Sequence, residues 1–163
     1  MKALALPVVV AATVLTGTAA APAQAATCGT LPASVQGSPN LRAGDRGAAY
    51  LWHDAHGWQL GVTHHGTSRM VVTGTITASG AISHLTTVRL ERGDAVAVSR
   101  DGHTLTFRMA NVGHLDGVRF TAECSTRMRV ALRVDGHVAT PAQVHLGQHR
   151  VSPTSVPFTV QRS

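Results

Sequence analysis

The sequence has little charge, few aromatic residues and almost no lysine. Charged residues make up 13% of its 163 residues and aromatic residues 4%, whereas 44% of the chain is hydrophobic. This combination excludes an intrinsically disordered chain. The 16 glycines and 7 prolines follow no fixed period, which excludes a collagen-like protein. The length is that of one globular domain.

Lys2 is the only lysine, and the other 13 basic residues are arginines. Such a preference is typical of high-GC codon usage, so it does not by itself indicate phosphate recognition. The formal net charge of +6 still favours anionic partners. No dense basic run occurs, and we therefore expect no nucleic-acid partner.

The N-terminus is typical of a secretory signal peptide. Lys2 precedes an apolar run from Ala3 to Leu15, and residues 23–25 form an A-x-A cleavage pattern. We expect residues 1–25 to be removed and the protein to be secreted to the extracellular space. The run of about 13 residues is shorter than the roughly 20 that cross a bilayer, so no transmembrane anchor is predicted.

The sequence has only two cysteines, Cys28 and Cys124. Both follow the signal peptide, in a compartment where disulfides persist, so we predict one disulfide between them. This bond would tether residues 26–46, which are interpreted as a loop or edge segment. A redox-active pair is not indicated, because no C-x-x-C motif is present.

Residues 47–163 are predicted to form a single all-β domain. Nowhere does a helical apolar pattern persist for three turns, whereas runs with strand character recur between turn residues. These runs cover about residues 47–53, 58–65, 69–78, 84–91, 95–100, 103–110, 117–124, 127–134, 142–146 and 156–161. Nine or ten short strands predict an antiparallel β-sandwich or a jelly-roll-like barrel.

Two stretches allow the register to be predicted. A two-residue turn at Asp101-Gly102 would pair Val98 with Leu105 and Val96 with Phe107, placing apolar residues opposite each other. In residues 127–134, apolar side chains alternate with mostly basic ones, which predicts one buried and one exposed face. The residues on the predicted exposed face include Arg127, Arg129 and Arg133.

A turn at residues 54–57 would divide the aromatic side chains of the first hairpin between two faces. Trp58 falls on the more apolar face, which we expect to be the core. Tyr50 and Trp52 fall on the other face with Gln59, as a candidate exposed platform on which a sugar ring could stack. The competing interpretation is that these aromatic residues pack beneath a loop.

The sequence contains ten histidines, which makes metal binding a hypothesis to consider. His53, Asp54 and His56 lie together at the tip of the first hairpin, and imidazole and carboxylate groups bind zinc or copper. The competing interpretation is a solvated turn that is rich in polar residues.

No sequence motif indicates catalysis or a cofactor. Ser, His and Asp are all present, but no G-x-S-x-G nucleophile elbow occurs. Most acidic residues adjoin glycine in a turn-like context; Asp116 is an example, in a polar loop with Asn111 and His114 that could line a pocket. A small secreted hydrolase therefore stays an alternative only.

Three segments carry a resemblance to other proteins. The hairpin from Trp52 to Trp58, the segment from Leu115 to Phe120 with Cys124 after it, and Pro157-Phe158 resemble small secreted β-rich proteins of high-GC Gram-positive bacteria, which have no assigned activity. The resemblance covers most of residues 48–160. It implies secretion and supplies no catalytic residues.

The sequence therefore predicts a non-enzymatic extracellular or cell-envelope binding module, with an anionic cell-wall polymer or polysaccharide as its partner. A zinc- or copper-binding protein is the alternative. The predicted ligand-binding residues are Tyr50, Trp52, Gln59, Arg127, Arg129 and Arg133, provided that the two strands that carry them are neighbours.

Overall fold

The computed structural model describes residues 28–41, 47–63, 69–111 and 115–163. These residues form 11 strands and two single-turn 3₁₀ helices, Ala33–Val35 and Pro141–Gln143. The strands are β1 (Ala49–Asp54), β2 (Gly57–Thr63), β3 (Met70–Ala78), β4 (Ser83–Val88), β5 (Ala95–Val98), β6 (Thr104–Asn111), β7 (Leu115–Thr121), β8 (Arg127–Val134), β9 (His137–Val138), β10 (Val144–Leu146) and β11 (Phe158–Gln161). The all-β prediction is confirmed. The predicted strand count is slightly low, because the two-residue β9 is too short to leave an alternating pattern.

The strands form two sheets. One has five strands in the order β10-β1-β2-β7-β4, and the other has six, five of them in the order β11-β8-β3-β6-β5 with β9 beside β8. Within both sheets the strand pairs are antiparallel, except that β1 and β10 run parallel. The antiparallel prediction therefore describes most of the architecture.

The predicted hairpin registers are confirmed. In the β5–β6 hairpin, Val98 lies opposite Leu105, and the turn is stabilised by a hydrogen bond from the His103 backbone N–H to Asp101 Oδ1 at 3.1 Å. Gly102 adopts a φ of +77°, a left-handed conformation that glycine adopts without steric cost. These turn residues fix which side chains face the core.

One hydrophobic cluster draws buried side chains from both sheets. From the five-stranded sheet it includes Leu51, Trp58 and Leu60, on the face that the sequence predicted to be apolar. From the six-stranded sheet it includes the apolar positions of β3, β6, β8 and β11, which alternate with exposed or partly exposed positions. In β8 the exposed positions are Arg127, Arg129 and Arg133, as predicted.

Close packing at the centre of the six-stranded sheet requires a glycine. A Cβ atom on Gly74 would lie 2.7 Å from Phe107 Cζ and 2.6 Å from the Ala131 carbonyl oxygen. Gly74 lies opposite Phe107 on one side and Leu132 on the other. Glycine here lets the phenyl ring lie directly over β3.

The predicted disulfide is present and joins Cys28 to Cys124, with a Cα–Cα distance of 4.6 Å. The segment that follows Cys28 also pairs with the last residues of the sequence, because the backbone N–H groups of Thr30 and Ser163 each donate to the carbonyl oxygen of the other residue. Both contacts attach the segment around Cys28 to residues that follow strands β7 and β11. The predicted signal peptide, residues 1–25, lies outside the described residues.

No helix in the described ranges is long and apolar enough to cross a membrane.

The disulfide closes a long loop, so its removal should destabilise the fold. For a separation of 96 residues, chain entropy predicts a loss of about 4 to 5 kcal/mol at most from the free energy of unfolding. We expect Cys28→Ser/Cys124→Ser to unfold at a correspondingly lower urea concentration than the oxidised protein. Equal midpoints for the two proteins would show that the cross-link contributes nothing.

Candidate functional site

The aromatic platform predicted on β1 is wrong, because both of its rings are buried. Tyr50 is 0% exposed and Trp52 is 7% exposed, although both point away from the core cluster. The Tyr50 ring stacks on His145 of the parallel neighbour β10, with ring centroids 5.2 Å apart. Trp52 lies over Gly61, where an added Cβ would meet its ring at 3.2 Å. Neither ring has an open face for a sugar.

Gln59 also holds strands together and does not present a free amide. Its Nε2 donates to Asp54 Oδ2 at 2.6 Å, and its Oε1 accepts from Arg119 Nη2 at 3.2 Å. Trp52 Nε1 donates to the same Asp54 oxygen at 3.3 Å. This network links β1, β2 and β7 on one face of the five-stranded sheet, so Gln59 has a structural role.

The metal hypothesis gains no support at the hairpin tip. Asp54 Oδ1 accepts from the His56 backbone N–H at 2.8 Å, and Asp54 Oδ2 accepts the two hydrogen bonds described above. The His53 ring packs edge-on against Trp58, with centroids 5.1 Å apart. Across the described parts of the chain, no three His, Cys, Asp or Glu side chains come together as a metal site.

The two halves of the predicted binding surface lie on different sheets. Tyr50 and Trp52 belong to the five-stranded sheet, whereas Arg127, Arg129 and Arg133 are exposed on β8 of the six-stranded sheet. The condition that the strands carrying these residues are neighbours is therefore not met. β8 lies between β3 and β11, with β9 beside its end.

Strand β8, which carries the exposed arginines, borders a groove of about 530 Å³ on the exposed face of the six-stranded sheet. The register places four short side chains in one row across β8, β3, β6 and β5. This row is Ala131, Thr75, Thr106 and Ala97. With strands about 4.8 Å apart, the row spans about 14 Å. Short side chains there leave room for a ligand to approach the sheet.

Two arginines lie in the next row of the groove, one on each side of Thr73. Arg133 lies opposite Thr73 on β8, and Arg108 lies opposite it on β6. Arg133 Nη1 donates to the Gly136 carbonyl oxygen at 2.8 Å, and Arg108 Nη1 donates to the Gly93 carbonyl oxygen. Both guanidinium groups keep further N–H donors for a ligand.

Among the described residues, the arginines of this face and the nearby carboxylates make separate contacts. No carboxylate of the described residues forms an ion pair with Arg108, Arg127, Arg129 or Arg133. The carboxylates at the strand ends bind backbone instead, since Asp94 Oδ1 accepts from Ala110 N–H and Asp135 Oδ1 accepts from Val71 N–H, both at 2.8 Å. The groove is therefore lined mainly by short and apolar side chains, with Arg108 and Arg133 as its two charged residues.

A second cavity, of about 480 Å³, lies beside the disulfide. Its lining joins the β1–β2 turn to the segment after β7 and to the C-terminus. The lining residues include His53, His56, Trp58, Glu123, Arg162 and both cysteines. Sequence analysis singled out its histidines but not Arg162, which is far from them along the chain.

Two further features of the structure differ from the sequence predictions. Arg108 belongs to the groove, and continuing the predicted β5–β6 register by one more residue would have placed it on the exposed face. Asp116, expected in a turn, lies within β7, opposite Val62 on β2, and is fully buried. The Asp-Gly signal for a turn was overridden by pairing with β2.

No known protein family, curated protein or solved structure matches the chain.

Because Trp52 is buried, its truncation should affect folding. We expect Trp52→Ala to lower the free energy of unfolding by about 3 to 5 kcal/mol, as measured by urea titration. Val138, which is 54% exposed, provides the control, and Val138→Ala should change stability by less than about 0.5 kcal/mol. A loss below about 1 kcal/mol for Trp52→Ala would contradict the packing.

His53 should make stability depend on pH. Burial lowers the pKa of His53, the charge of Arg162 lowers it further, and Asp54 opposes both effects. In the unfolded chain a histidine titrates near pH 6.5, so below that pH the unfolded chain first binds a proton that the native chain does not. Stability should therefore fall as the pH decreases from about 6.5 towards the lower native pKa.

His53→Gln removes this contribution. We expect the loss of unfolding free energy between pH 7.5 and pH 5.5 to be smaller in His53→Gln than in the unsubstituted protein, by urea titration at both pH values. The same loss in both proteins would show that His53 is protonated equally easily in the native and unfolded states.

Proposed function

We propose that the protein is a secreted, non-enzymatic binding module that holds an anionic cell-envelope polymer in the groove of the six-stranded sheet. The proposal is based on the shape of this groove and on the positive charge of its arginines. The groove has a floor of short side chains, and the arginines in and beside it lack acidic partners among the described residues.

The chemistry of the groove favours carboxylate or phosphate groups carried on an extended chain. Guanidinium groups donate paired hydrogen bonds to either oxyanion. Along β8, Arg127 and Arg129 are two residues apart, about 7 Å, and Arg133 is about 13 Å beyond Arg129. A polymer with repeated negative charges can contact several of these groups at once, whereas a single small anion cannot.

Nucleic acid is a weaker match for the same face. Binding of single strands combines a cationic groove with exposed aromatic rings on which bases stack. The only aromatic residue that lines this groove is Phe107, and its ring belongs to the core with 2% exposure. The proposed ligand therefore carries charge without bases.

Secretion and a sandwich architecture are part of the same proposal. The signal-peptide pattern and the Cys28–Cys124 disulfide support an oxidising compartment outside the cytosol. The core cluster with side chains from both sheets supports two packed sheets, as in a sandwich or a jelly roll. The resemblance to small secreted proteins of high-GC Gram-positive bacteria supports a cell-envelope location.

Retention on immobilised polymers tests the groove. We expect retention on polygalacturonate or on a polyol-phosphate teichoic acid, and none on neutral dextran. Arg108→Gln/Arg133→Gln should weaken binding about two- to fivefold per arginine, which corresponds to about 0.5 to 1 kcal/mol for each exposed charge pair. Added salt should reduce retention, because exposed charges are screened.

Arg100→Gln is the matched control, because Arg100 is an exposed arginine at the β5–β6 turn and does not line the groove. This variant should bind like the unsubstituted protein. Retention on neither anionic polymer, or equal weakening by Arg100→Gln and by the double substitution, would overturn the proposal. Preference for single-stranded DNA over both polymers would also overturn it.

A further inference from the structure

We propose that the part of the anionic polymer that enters the groove of the six-stranded sheet is its lipid-linked end, where alkyl chains are attached close to a phosphate group. This assignment rests on the proposed function, because it concerns the same groove and names the portion of the polymer that the groove takes. The groove volume of about 530 Å³ lies within the range of small-molecule sites, which is about 300 to 1,000 Å³.

The surface that the groove offers to a ligand is mainly apolar. Six of its lining residues are apolar and at least partly exposed, namely Ala95, Ala97, Ala131, Val138, Val156 and Pro157. Among the large apolar side chains of the described residues, Val138 has the largest exposed fraction, 54%. Contact with an alkyl chain removes this surface from water, which favours binding.

The row of short side chains across the sheet suits an apolar segment better than a charged one. The row from Ala131 to Ala97 spans about 14 Å and consists of two alanines and two threonines. An oxyanion directly over this row loses hydration without gaining a charged partner, which is unfavourable. An alkyl chain has no hydrogen bonds to lose there.

Arg108 and Arg133 suit the phosphate group. They lie on either side of Thr73, two strand spacings or about 10 Å apart across the sheet. None of the described lining residues is acidic. The carboxylates at nearby strand ends, Asp94 and Asp135, bind backbone N–H groups. A phosphate over Thr73 therefore lies between two positive charges and close to a hydroxyl group.

The remaining arginines of β8 provide contacts for the charged repeats of the polymer. Arg129 lies about 13 Å along the strand from Arg133, and Arg127 lies about 7 Å further. Both side chains are exposed, and neither lines the groove. A polymer whose lipid-linked end occupies the groove can therefore continue along β8 with its next phosphate groups near these arginines.

Calorimetric titration with soluble alkyl phosphates tests the groove by itself. The probes are butyl, hexyl and octyl phosphate. Inorganic phosphate is the control without an alkyl chain, and octyl glucoside is the control without charge. We expect the affinity to rise with chain length by up to about fourfold for each methylene group, because burial of one such group contributes about 0.8 kcal/mol. Both controls should bind at least tenfold more weakly than octyl phosphate.

Two single substitutions test the apolar row. Ala97→Asp places a negative charge in the row and should weaken octyl phosphate binding at least fivefold. Ala81→Asp is the matched control, because Ala81 is an exposed alanine between β3 and β4 and does not line the groove. This variant should bind octyl phosphate like the unsubstituted protein.

Two double substitutions separate the phosphate site from the contacts along β8. Arg108→Gln/Arg133→Gln should weaken binding of octyl phosphate and of the polymer. Arg127→Gln/Arg129→Gln should weaken binding of the polymer only, because these two arginines lie outside the groove.

A matched pair of polymers tests which part of the polymer enters the groove. Lipoteichoic acid without alanine esters is compared, below its micelle concentration, with the same material after its acyl chains are removed by alkali. We expect the acylated form to bind at least tenfold more tightly, and octyl phosphate to compete with it.

The proposal is overturned if octyl phosphate binds no more tightly than inorganic phosphate or octyl glucoside, or if Ala97→Asp and Ala81→Asp bind it equally. Equal binding of the two polymer forms would also overturn it, but would leave the proposed binding of the polymer intact. Binding of octyl phosphate with no binding of either polymer form would overturn the proposed function, and with it the assignment of the ligand to a polymer end.

Discussion

The strict alternation of side chains in the six-stranded sheet is the constraint on which both the core and the proposed binding face depend. The register of β3 and β8 runs from Val72 opposite Val134 to Ala78 opposite Met128. Because side chains in a strand alternate with a period of two, a slip of one residue would turn the β8 arginines inward and its apolar residues outward. Burial of those apolar residues therefore holds the arginines in the solvent.

Among the described residues, no carboxylate forms an ion pair with Arg108 or Arg133 of the groove. The carboxylates of Asp94 and Asp135 bind backbone N–H groups at the ends of strands, where they stabilise turns. On the five-stranded sheet, an arginine and a carboxylate are linked through an amide. Asp54, Gln59 and Arg119 form one chain of hydrogen bonds. The arginines of the groove keep N–H donors for a ligand, whereas the polar groups of the five-stranded sheet use theirs to join strands.

The sequence predicted those parts of the structure that depend on neighbours close along the chain. Pairing across the Asp101-Gly102 turn and the exposed arginines of β8 follow from local alternation. The burial of Tyr50 could not be predicted, because its stacking partner His145 comes from a parallel strand far along the chain. The cavity beside the disulfide depends in the same way on Arg162, which no local pattern places near the β1–β2 turn.

The proposed site of the anionic polymer is the exposed face of the six-stranded sheet, and not the β1–β2 hairpin. The most direct measurement is the mapping of amide and guanidinium NMR shifts during titration with a defined oligogalacturonate. The account predicts shifts at the Nε–H groups of Arg108 and Arg133 and at the amides around Thr75 and Ala131. Shifts confined to the β1–β2 hairpin, or no shifts on the six-stranded sheet at saturation, would contradict it.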